Sequence, residues 1–190
     1  DALPISNFAD RIHKEASRLI KLVNDIINIS RLDEGYVDIE KEDVDLFEMS
    51  REISSRLAKQ ANDKGIKVAL EGERVICHGI RQILDDMVYN LVENAIKYNK
   101  ENGKVTIWVG STLDGVKIRV TDTGIGIADE ETDRIFERFY RVDKSHSKEI
   151  GGTGLGLSIV KHGAMVHGAS LSVDSKLGEG SVFEIRFPNA

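Results

Sequence analysis

The chain is organised around the stretch Asn90-Leu91-Val92-Glu93-Asn94-Ala95-Ile96-Lys97-Tyr98, which lies in a helical pattern from about Ile80 to Asn99. Apolar residues recur there every three or four positions, which predicts a helix with one buried face: Ile80, Leu84, Met87, Leu91 and Ala95. Asn90, Asn94, Lys97 and Tyr98 are spaced at i, i+4, i+7 and i+8, so they share a second face. We therefore expect two carboxamides, an ammonium and a phenol together on a half-buried surface.

That group of side chains could bind a phosphate-bearing ligand. The carboxamide oxygens of Asn90 and Asn94 could ligate Mg²⁺, which prefers oxygen ligands and keeps waters and substrate phosphates in its shell. Lys97 could pair with a phosphate, and Tyr98 could bond a phosphate or ribose or pack beside a base. Taken alone, the stretch equally fits asparagines that are merely solvated on a helix.

Composition restricts the class of protein. The 190 residues are 41% hydrophobic and 31% charged, with a formal net charge of −6, which suits a globular domain plus an appendage. The absence of a long basic run argues against nucleic acid as a partner. One cysteine, Cys77, excludes an internal disulfide. The sequence shows no long apolar span and no signal peptide, and it starts within a helical pattern, so we expect part of a longer protein.

The first segment predicts one long helix from about Ser6 to Ser30. Its apolar positions approach a heptad seam, which favours pairing with another helix over packing on its own domain: Phe8, Ile12, Leu19, Leu22, Ile26 and Ile29. Gly35 is the expected helix end. Residues 36–43 are polar and acidic and indicate a linker into an edge strand near Val44.

The rest of the chain alternates helix and strand patterns. A helix is predicted over Leu46–Asp63, and Asn102-Gly103 is typical of a hairpin turn. A strong antiparallel hairpin signal surrounds Asp114-Gly115. Further elements are expected as strands at Ile66–Leu70, Val75–His78, Val105–Val109, Val116–Val120, Leu171–Asp174 and Ser181–Phe187, and as a helix at Ser158–Val166.

Two glycine-rich stretches could line a nucleotide pocket. Asp122-Thr123-Gly124-Ile125-Gly126 begins where a strand ends, so a carboxylate could accept from an exocyclic amine there; a tight turn with an Asx bond is the alternative. The run from Gly151 to Leu157 opens a helix, where glycines and free N–H groups can cradle phosphate. Residues 128–150 lie between the two stretches and are interpreted as a lid, whose Arg138 and Arg141 could reach phosphates.

The order of these motifs is far more specific than any one of them. Asn-x-x-x-Asn-Ala-x-Lys-Tyr, Asp-x-Gly-x-Gly, Phe-Glu-Arg-Phe-Tyr-Arg and Gly-x-Gly-Leu-Gly-Leu together resemble the catalytic ATP-binding domain of sensor histidine kinases, over Val44 to Pro188. Phe8 to Gly35 resembles the second helix of that family's dimerisation hairpin. The overall pattern is most similar to the phosphate-sensor and cell-wall-sensor type.

The resemblance implies a fold and a division of the chain. The expected class is α+β, a two-layer α/β sandwich in which three helices cover a mixed sheet, preceded by one long N-terminal helix. Residues 1–35 would be the hairpin helix, residues 36–43 the linker and residues 44–190 the catalytic domain. The implied partners are a response-regulator receiver domain and a second copy of the chain through the N-terminal helix. The domain would be cytoplasmic in a membrane-anchored parent.

The resemblance also implies roles for matching residues, with ATP and Mg²⁺ as cofactors. Asn90 and Asn94 would hold Mg²⁺, Lys97 and Tyr98 would contact phosphate and nucleotide, and Asp122 would accept from adenine. The remaining implied nucleotide-binding residues are Gly124, Gly126, Ile127, Tyr140, Arg141, Gly152, Thr153, Gly154, Leu155, Gly156 and Leu157.

One departure from the family bears on activity. The family's phosphoacceptor is a histidine followed by an acidic residue, whereas the five histidines here precede other residues: His13, His78, His146, His162 and His167. The favoured function is a kinase that transfers the γ-phosphoryl of ATP to a histidine outside this sequence and then to a regulator aspartate. The alternatives are a non-catalytic nucleotide-binding scaffold, or a related ATPase, which would carry a general-base glutamate where this chain has Asn90.

Overall fold

The structure is a computed structural model that describes residues 3–33, 40–142 and 152–188. Four α-helices occur there, at Leu3–Asp33 (α1), Leu46–Asp63 (α2), Arg81–Lys97 (α3) and Gly156–Val166 (α4). Seven strands accompany them, at Glu42–Asp45 (β1), Lys67–Gly72 (β2), Ile76–Gly79 (β3), Lys104–Thr112 (β4), Gly115–Asp122 (β5), Ser170–Lys176 (β6) and Gly180–Phe187 (β7). A 3₁₀ helix covers Asp129–Glu131.

Five strands form one mixed sheet in the order β2-β4-β5-β7-β6. Strand β2 runs parallel to β4, and the remaining neighbours are antiparallel. The expected two-layer sandwich with a preceding long helix is confirmed. Strands β1 and β3 pair antiparallel in a ribbon of their own, a separation that the sequence pattern did not reveal.

Alternation along the strands explains why one face of the sheet is covered by helices. Alternate residues of the central strands are buried under α2, α3 and α4: Val105, Ile107, Val109, Ile118, Val120, Phe183, Ile185 and Phe187. The opposite face carries Glu184, with Lys117 Nζ at 2.9 Å and with Arg119 and Arg186 beside it. Burial acts to raise the pKa of the Glu184 carboxyl. Hydrogen bonds from Lys117, Arg186 and Arg119 outweigh this effect and lower the pKa to about 2. The open face is therefore stabilised by charge pairing.

The helix predicted at Leu46–Asp63 has these bounds in the structure. Asp45 begins it, because its carboxylate accepts a hydrogen bond from the backbone N–H of Glu48 at 2.9 Å. This is the usual way to satisfy an orphan N–H at a helix start. Gly65, at φ +66, turns the chain into β2.

Several predicted boundaries differ from the structure. Helix α1 is longer than expected, and β1 begins at Glu42, inside the predicted linker 36–43. Asn102, at φ 58, does form a turn, but the turn joins α3 to β4 and not two hairpin strands, because the element before it is a helix. The predicted helix end at Gly35 lies outside the described residues.

The segment interpreted as a lid is only partly described. Residues 128–142 are not structureless, because they contain the 3₁₀ helix and a buried Ile135. Residues 143–150 lie outside the described residues, so the lid stays a prediction. Within the three described ranges, no helix has both the length and the hydrophobicity needed to cross a bilayer.

His167 ties the end of α4 to the start of α3. Its Nε2 accepts from the backbone N–H of Ile80 at 3.0 Å, and its Nδ1 donates to the carbonyl of Gly163 at 2.8 Å. The ring packs edge-on against Phe187, with centroids 6.1 Å apart. Only a neutral ring can accept and donate in this way. Burial lowers the pKa of His167 below its ordinary value of 6.5, although the bond to Gly163 acts to raise it.

We predict that His167 makes the protein acid-sensitive. With a lowered pKa in the folded state, its contribution to the free energy of unfolding is fully present above 6.5. That contribution is lost as the pH falls below this value, because the unfolded chain takes up a proton first. In urea unfolding between about pH 5 and about pH 8, His167→Gln should lose this part of the pH dependence.

The matched control is His162→Gln on the same helix, which leaves the bond to Ile80 intact and should follow the wild-type profile. If the free energy of unfolding of His167→Gln changes with pH as steeply as that of the wild type, His167 is not the source of the acid sensitivity.

Candidate functional site

Helix α3 forms the floor of the site. Asn90 is buried, and its Nδ2 donates to the carbonyl of Asp86 at 2.7 Å. This bond fixes the carboxamide and turns its Oδ1 toward Gly156, where an added Cβ would lie 2.7 Å from that oxygen. Asn94 follows one turn later and is half-buried. The predicted shared face is therefore formed, with one carboxamide oxygen directed at the start of α4.

The C-terminal end of α3 brings Lys97 and Tyr98 to the same place. The Lys97 ammonium lies over the Tyr98 ring at 5.4 Å from its centroid. A Cβ on Gly152 would clash with Lys97 Nζ and lie 3.7 Å from the Tyr98 hydroxyl. Lys64 caps this helix end by donating to the carbonyl of Lys97, which suits the negative end of a helix dipole. The ammonium of Lys97 thus faces the glycine-rich loop.

The loop after β5 adjoins the end of α3. Asp122 Oδ1 accepts from the N–H of Gly124 at 2.7 Å, so the Asx bond considered from the sequence is present. Burial raises the pKa of the Asp122 carboxyl, against the lowering effect of the N–H groups of Gly124 and Ser181. A carboxylate keeps further acceptor positions when one oxygen receives one bond, so the turn and an adenine contact are compatible.

Two glycines in this loop are required by close approach of the backbone. A Cβ on Gly124 would lie 2.5 Å from the carbonyl oxygen of Tyr98. Gly126 adopts φ +68, and a Cβ there would meet the carbonyl of Lys176. Ile127 follows, half-buried, with its N–H donating to Ser175 Oγ at 2.9 Å. The loop is therefore held between α3 and the turn that joins β6 to β7.

The glycine-rich loop leads into α4 as predicted. Gly151 lies outside the described residues, while Gly152, Thr153 and Gly154 are half-buried and Leu155 is fully buried. The first bond of the helix runs from Ile159 N–H to the carbonyl of Leu155 at 3.0 Å. The N–H groups of Gly156, Leu157 and Ser158 therefore have no acceptor within the helix. A helix N-terminus of this kind, beside Asn90 and Lys97, can bind an anion.

The segment before the glycine-rich loop is fastened to it. Phe139 N–H donates to the carbonyl of Gly154 at 2.9 Å, and Arg141 Nη1 donates to the carbonyl of Gly152 at 2.9 Å. Tyr140 instead bonds Glu131, and the Arg134 guanidinium lies 4.2 Å from its ring centroid. Arg141 is thus adjacent to the loop, whereas Tyr140 contacts Glu131 and Arg134 within its own segment. Nucleotide binding by either residue stays a prediction.

Asn99 is a site residue that the motif analysis missed. It is buried, its Nδ2 donates to the carbonyl of Lys104 at 3.1 Å, and its Oδ1 accepts from Thr123 Oγ1 at 3.2 Å. Thr123 Oγ1 in turn accepts from the N–H of Lys104 at 2.9 Å. These bonds fasten the Asp122 loop to the end of α3, an arrangement completed by Ile125 N–H on the carbonyl of Tyr98. The only hint in the sequence is that Asn99 directly follows Tyr98.

Asp25 of α1 also reaches the site, without any signal in the sequence. It is buried, and its Oδ2 accepts from Thr153 Oγ1 at 2.7 Å. The half-buried Asp86 of α3 has its pKa raised to about 6, mainly by burial and then by the charges of Asp85 and Asp25. The long helix therefore contributes a carboxylate to the edge of the predicted phosphate cradle.

The donor set fits Mg²⁺ only in combination with a ligand. Within residues 3–33, 40–142 and 152–188, no group of three or more histidine, cysteine or acidic residues could hold a metal ion. Asn90 and Asn94 would supply two carboxamide oxygens at most, one of them fixed by the bond to Asp86. Mg²⁺ bound by few protein ligands completes its shell with waters and substrate phosphates, so the arrangement suits a nucleotide-dependent ion.

Comparison with known proteins identifies the family. A family model described as histidine kinase-, DNA gyrase B-, and HSP90-like ATPase matches residues 79–190. The chain belongs to this ATPase family. The matched range contains all four motifs on which the sequence resemblance was based.

Curated relatives place it among sensor histidine kinases. The sensor-like histidine kinase SenX3 of Mycolicibacterium smegmatis is 38% identical over 189 residues, covering 97% of this chain and 48% of that protein. The sensor histidine kinase WalK of Bacillus subtilis is 34% identical over 186 residues, covering 92% and 29%. The resemblance to sensor histidine kinases that the motifs indicated is confirmed. The chain spans about half the length of SenX3.

Solved structures agree with the fold. Full-length ShkA in complex with AMPPNP gives a TM-score of 0.81 at 27% identity, covering 97% of this chain and 39% of that one. The nucleotide-free catalytic domain of the histidine kinase ThkA gives 0.69 at 28% identity, covering 78% and 95%. The first likeness includes α1, because it extends over almost the whole chain.

We predict that Asn99→Ala destabilises the protein, because it removes the two side-chain hydrogen bonds by which the buried Asn99 joins the carbonyl of Lys104 and the Thr123 hydroxyl. The loss in free energy of unfolding should be about 1–3 kcal/mol, measured by urea unfolding. Asn62→Ala, an exposed asparagine on α2, is the control and should change stability by less than about 0.5 kcal/mol. Equal effects of the two variants would show that Asn99 is not a structural link.

Proposed function

We propose that this chain is the ATP-binding catalytic part of a sensor histidine kinase, transferring the γ-phosphoryl of ATP to a histidine and then to a response-regulator aspartate. The observation that carries the proposal is the convergence of separated motifs. The Asp122 loop and the glycine-rich loop both meet α3 or Tyr98 directly after it, and Arg141 bonds the glycine-rich loop. Gly156 meets Asn90, Gly152 meets Lys97, and Gly124 meets the carbonyl of Tyr98. ShkA, a relative in fold at 27% identity, was solved in complex with AMPPNP.

The chain's own residues would bind and orient the nucleotide from end to end. Asp122 would accept the exocyclic amine of adenine, in the space left by Gly124. Lys97 and the N-terminus of α4 would neutralise the phosphates, since both are positive and lie side by side. The oxygens of Asn90 and Asn94 would hold Mg²⁺, which would supply charge neutralisation at the phosphates. Phosphoryl transfer demands mainly such positioning and electrostatic stabilisation.

The kinase is favoured over a hydrolytic ATPase by Asn90. A carboxamide has no basic group that could activate water, and here its Nδ2 is already engaged with the carbonyl of Asp86. The named relatives are histidine kinases at 38% and 34% identity. We therefore assign transfer to a protein side chain as the main reaction.

A second copy of the chain is the proposed partner of α1. Large apolar side chains along this helix are exposed, among them Phe8 at 67%, Ile12 at 55% and Leu19 at 59%. The apolar surface continues over Ile20, Val23, Ile26 and Ile27, which is broader than a single two-helix seam needs. The exposure of this apolar band supports homodimerisation through α1, because pairing with a second copy would bury it.

The remaining partners follow from the kind of protein that the relatives are. A response-regulator receiver domain is the proposed acceptor after the histidine, as expected for a two-component system. A ThkA structure, whose 24% identity shows the fold alone, contains a response regulator. We also propose that the domain is cytoplasmic in a membrane-anchored sensor, which the naming of the relatives as sensor kinases supports.

We predict that Asn94→Ala weakens binding of ATP with Mg²⁺ by about tenfold or more, because it removes one of two metal ligands. Titration calorimetry with and without Mg²⁺ measures the effect. Asn62→Ala on α2 serves again as the control. Unchanged affinity in Asn94→Ala would refute the metal assignment.

We predict that Asp122→Asn reduces the preference for ATP over GTP, because a carboxamide can present a donor where the carboxylate only accepts. The ratio of the two dissociation constants is the readout, since general damage to the fold would weaken both nucleotides alike. A wild-type chain that binds ATP and GTP equally would already contradict the role of Asp122.

We predict phosphoryl transfer in trans and not onto this chain. None of its five histidines has the acidic neighbour of the family's acceptor, so radiolabelled ATP should leave the chain unlabelled. It should label a full-length partner kinase whose own nucleotide site is disabled, giving an acid-labile, base-stable product. Labelling of the chain alone would refute the first point. Tight ATP binding without labelling of any partner would support the scaffold alternative.

A further inference from the structure

One row across the sheet joins Asp122 to two serine hydroxyls. Asp122 ends β5, and its register partner on β7 is Ser181. The register partner of Ser181 on β6 is Ser175. Side chains directly opposite one another on neighbouring strands share a face of the sheet. On this face Ser181 is buried and Ser175 is half-buried. Two hydroxyls therefore lie in the same row as the carboxylate that is proposed to recognise adenine.

The hydroxyl of Ser175 makes three contacts, which is all that one proton and two lone pairs allow. It accepts from the N–H of Ile127 at 2.9 Å and donates to the carbonyl of Gly180 at 3.0 Å. The hydroxyl of Ser181 lies 2.8 Å away and is then the donor of that bond, because the Ser175 proton is already engaged. Ser175 thus joins the end of the Asp122 loop to strand β7.

The bond to Gly180 acts on Asp122 through a single peptide plane. The carbonyl of Gly180 and the N–H of Ser181 belong to one rigid unit and point in opposite directions. Burial raises the pKa of the Asp122 carboxyl, and the N–H groups of Gly124 and Ser181, which donate to it, act to lower it. The Ser175 hydroxyl fixes the carbonyl and therefore also fixes the direction of the N–H on the other side. A hydrogen bond to the carbonyl also polarises the peptide and strengthens its donor.

Backbone contacts hold the same loop against the turn between β6 and β7. A Cβ on Gly126 would strike the carbonyl oxygen of Lys176. The N–H of Gly178 donates to the carbonyl of Ile125 at 2.7 Å. These contacts do not depend on a side chain, so they keep the loop in place when the Ser175 hydroxyl is removed. Loss of that hydroxyl should therefore disturb the alignment of the loop and not the fold.

We propose that Ser175 is a positioning residue for nucleotide selectivity, which aligns the Asp122 carboxyl through the Gly180–Ser181 peptide and the N–H of Ile127. The inference rests on the proposed function, since it assumes that Asp122 accepts from the exocyclic amine of adenine. Adenine offers a donor there, whereas guanine offers a carbonyl oxygen. A well-directed acceptor therefore favours ATP over GTP, and a misaligned one loses part of this preference, because hydrogen bonds weaken steeply with angle.

The test measures the dissociation constants of ATP and GTP with Mg²⁺ by calorimetry on the whole chain, for wild type, Ser175→Ala and Ser175→Thr. The ratio of the GTP constant to the ATP constant should fall by about threefold to tenfold in Ser175→Ala, the size of one neutral hydrogen bond. Inorganic tripolyphosphate carries no base, so its affinity should be the same in both proteins. Ser175→Thr keeps the hydroxyl and should retain the wild-type ratio.

The matched control is Ser172→Ala on the same strand. Ser172 is exposed on the open face of the sheet, opposite Glu184, so its loss should leave the ratio and the tripolyphosphate affinity unchanged. If Ser175→Ala does not fold, Ser175→Cys takes its place, because a thiol is only a weak donor and acceptor, and the ratio should change in the same direction.

Three results would overturn the proposal. The first is a ratio in Ser175→Ala equal to that of the wild type. The second is an equal loss of affinity for ATP, GTP and tripolyphosphate, which would indicate general damage to the site. The third is a Ser175→Thr ratio as low as that of Ser175→Ala, which would show that the hydroxyl is not the cause.

Failure of the proposed function gives a different pattern. A wild-type chain that binds neither nucleotide, or binds both equally, would overturn the adenine site and this inference with it. A selective wild type whose ratio survives in Ser175→Ala would overturn the inference alone.

Hydrogen exchange tests the alignment without nucleotide. The Ile127 amide should exchange faster in Ser175→Ala than in the wild type or in Ser172→Ala, because its acceptor is gone. The Gly178 amide should keep its protection in all three proteins, as expected if the loop stays against the turn. Equal protection of Ile127 in all three would contradict the bond on which the alignment depends.

Discussion

Helix α3 is the element on which the rest of the structure depends, because two of its faces must be satisfied at once. One face is buried in the core through Ile83, Leu84, Met87 and Leu91. The other carries Asn90, Asn94 and Lys97 toward the glycine-rich loop. The helix cannot rotate to improve one face without spoiling the other, so core packing fixes the direction of the polar side chains. Preorganisation of the site is thus a by-product of the hydrophobic core.

The two ends of α3 are fastened by polar contacts that no hydrophobic pattern displays. At its start, Ile80 donates to His167 from the end of α4. At its end, Lys64 caps the last carbonyls and Asn99 bonds Lys104 and Thr123. These links join α3 to α4, to the turn between α2 and β2, and to the Asp122 loop. Because buried polar groups without partners are costly, each link also makes the relative position of these elements specific.

The sequence predicted helices and strands well where burial imposes a regular period. The bounds of α2 follow from its apolar spacing and from Asp45, and the β4–β5 hairpin follows from alternation around Asp114-Gly115. Periodicity does not encode which strands pair, so the parallel β2–β4 neighbours and the separate β1–β3 ribbon could not be read from it. Asn102-Gly103 shows the same limit, because a turn sequence specifies local dihedral angles and not the elements on either side.

For the site, the sequence predicted the motifs and the structure supplied the contacts between them. A Cβ on Gly152 or Gly156 would strike a residue of α3, and a Cβ on Gly124 would strike Tyr98 directly after it, which explains why glycines stand there. Asn99 and Asp25 escaped prediction because their importance lies in partners distant in the chain. Nothing in the sequence around Asp25 distinguishes it from the other charged residues of an amphipathic helix.

The position of Asp25 gives α1 two opposed surfaces with different tasks. Its exposed apolar band needs a partner helix, whereas its Leu22–Asp25 side contacts the domain through the packing of Leu22 and the hydrogen bond from Thr153 to Asp25. The second surface joins α1 to α4 and to the loop before it. The polar contact fixes where α1 meets the loop before α4, whereas the exposed apolar band supplies the area that association with another helix requires.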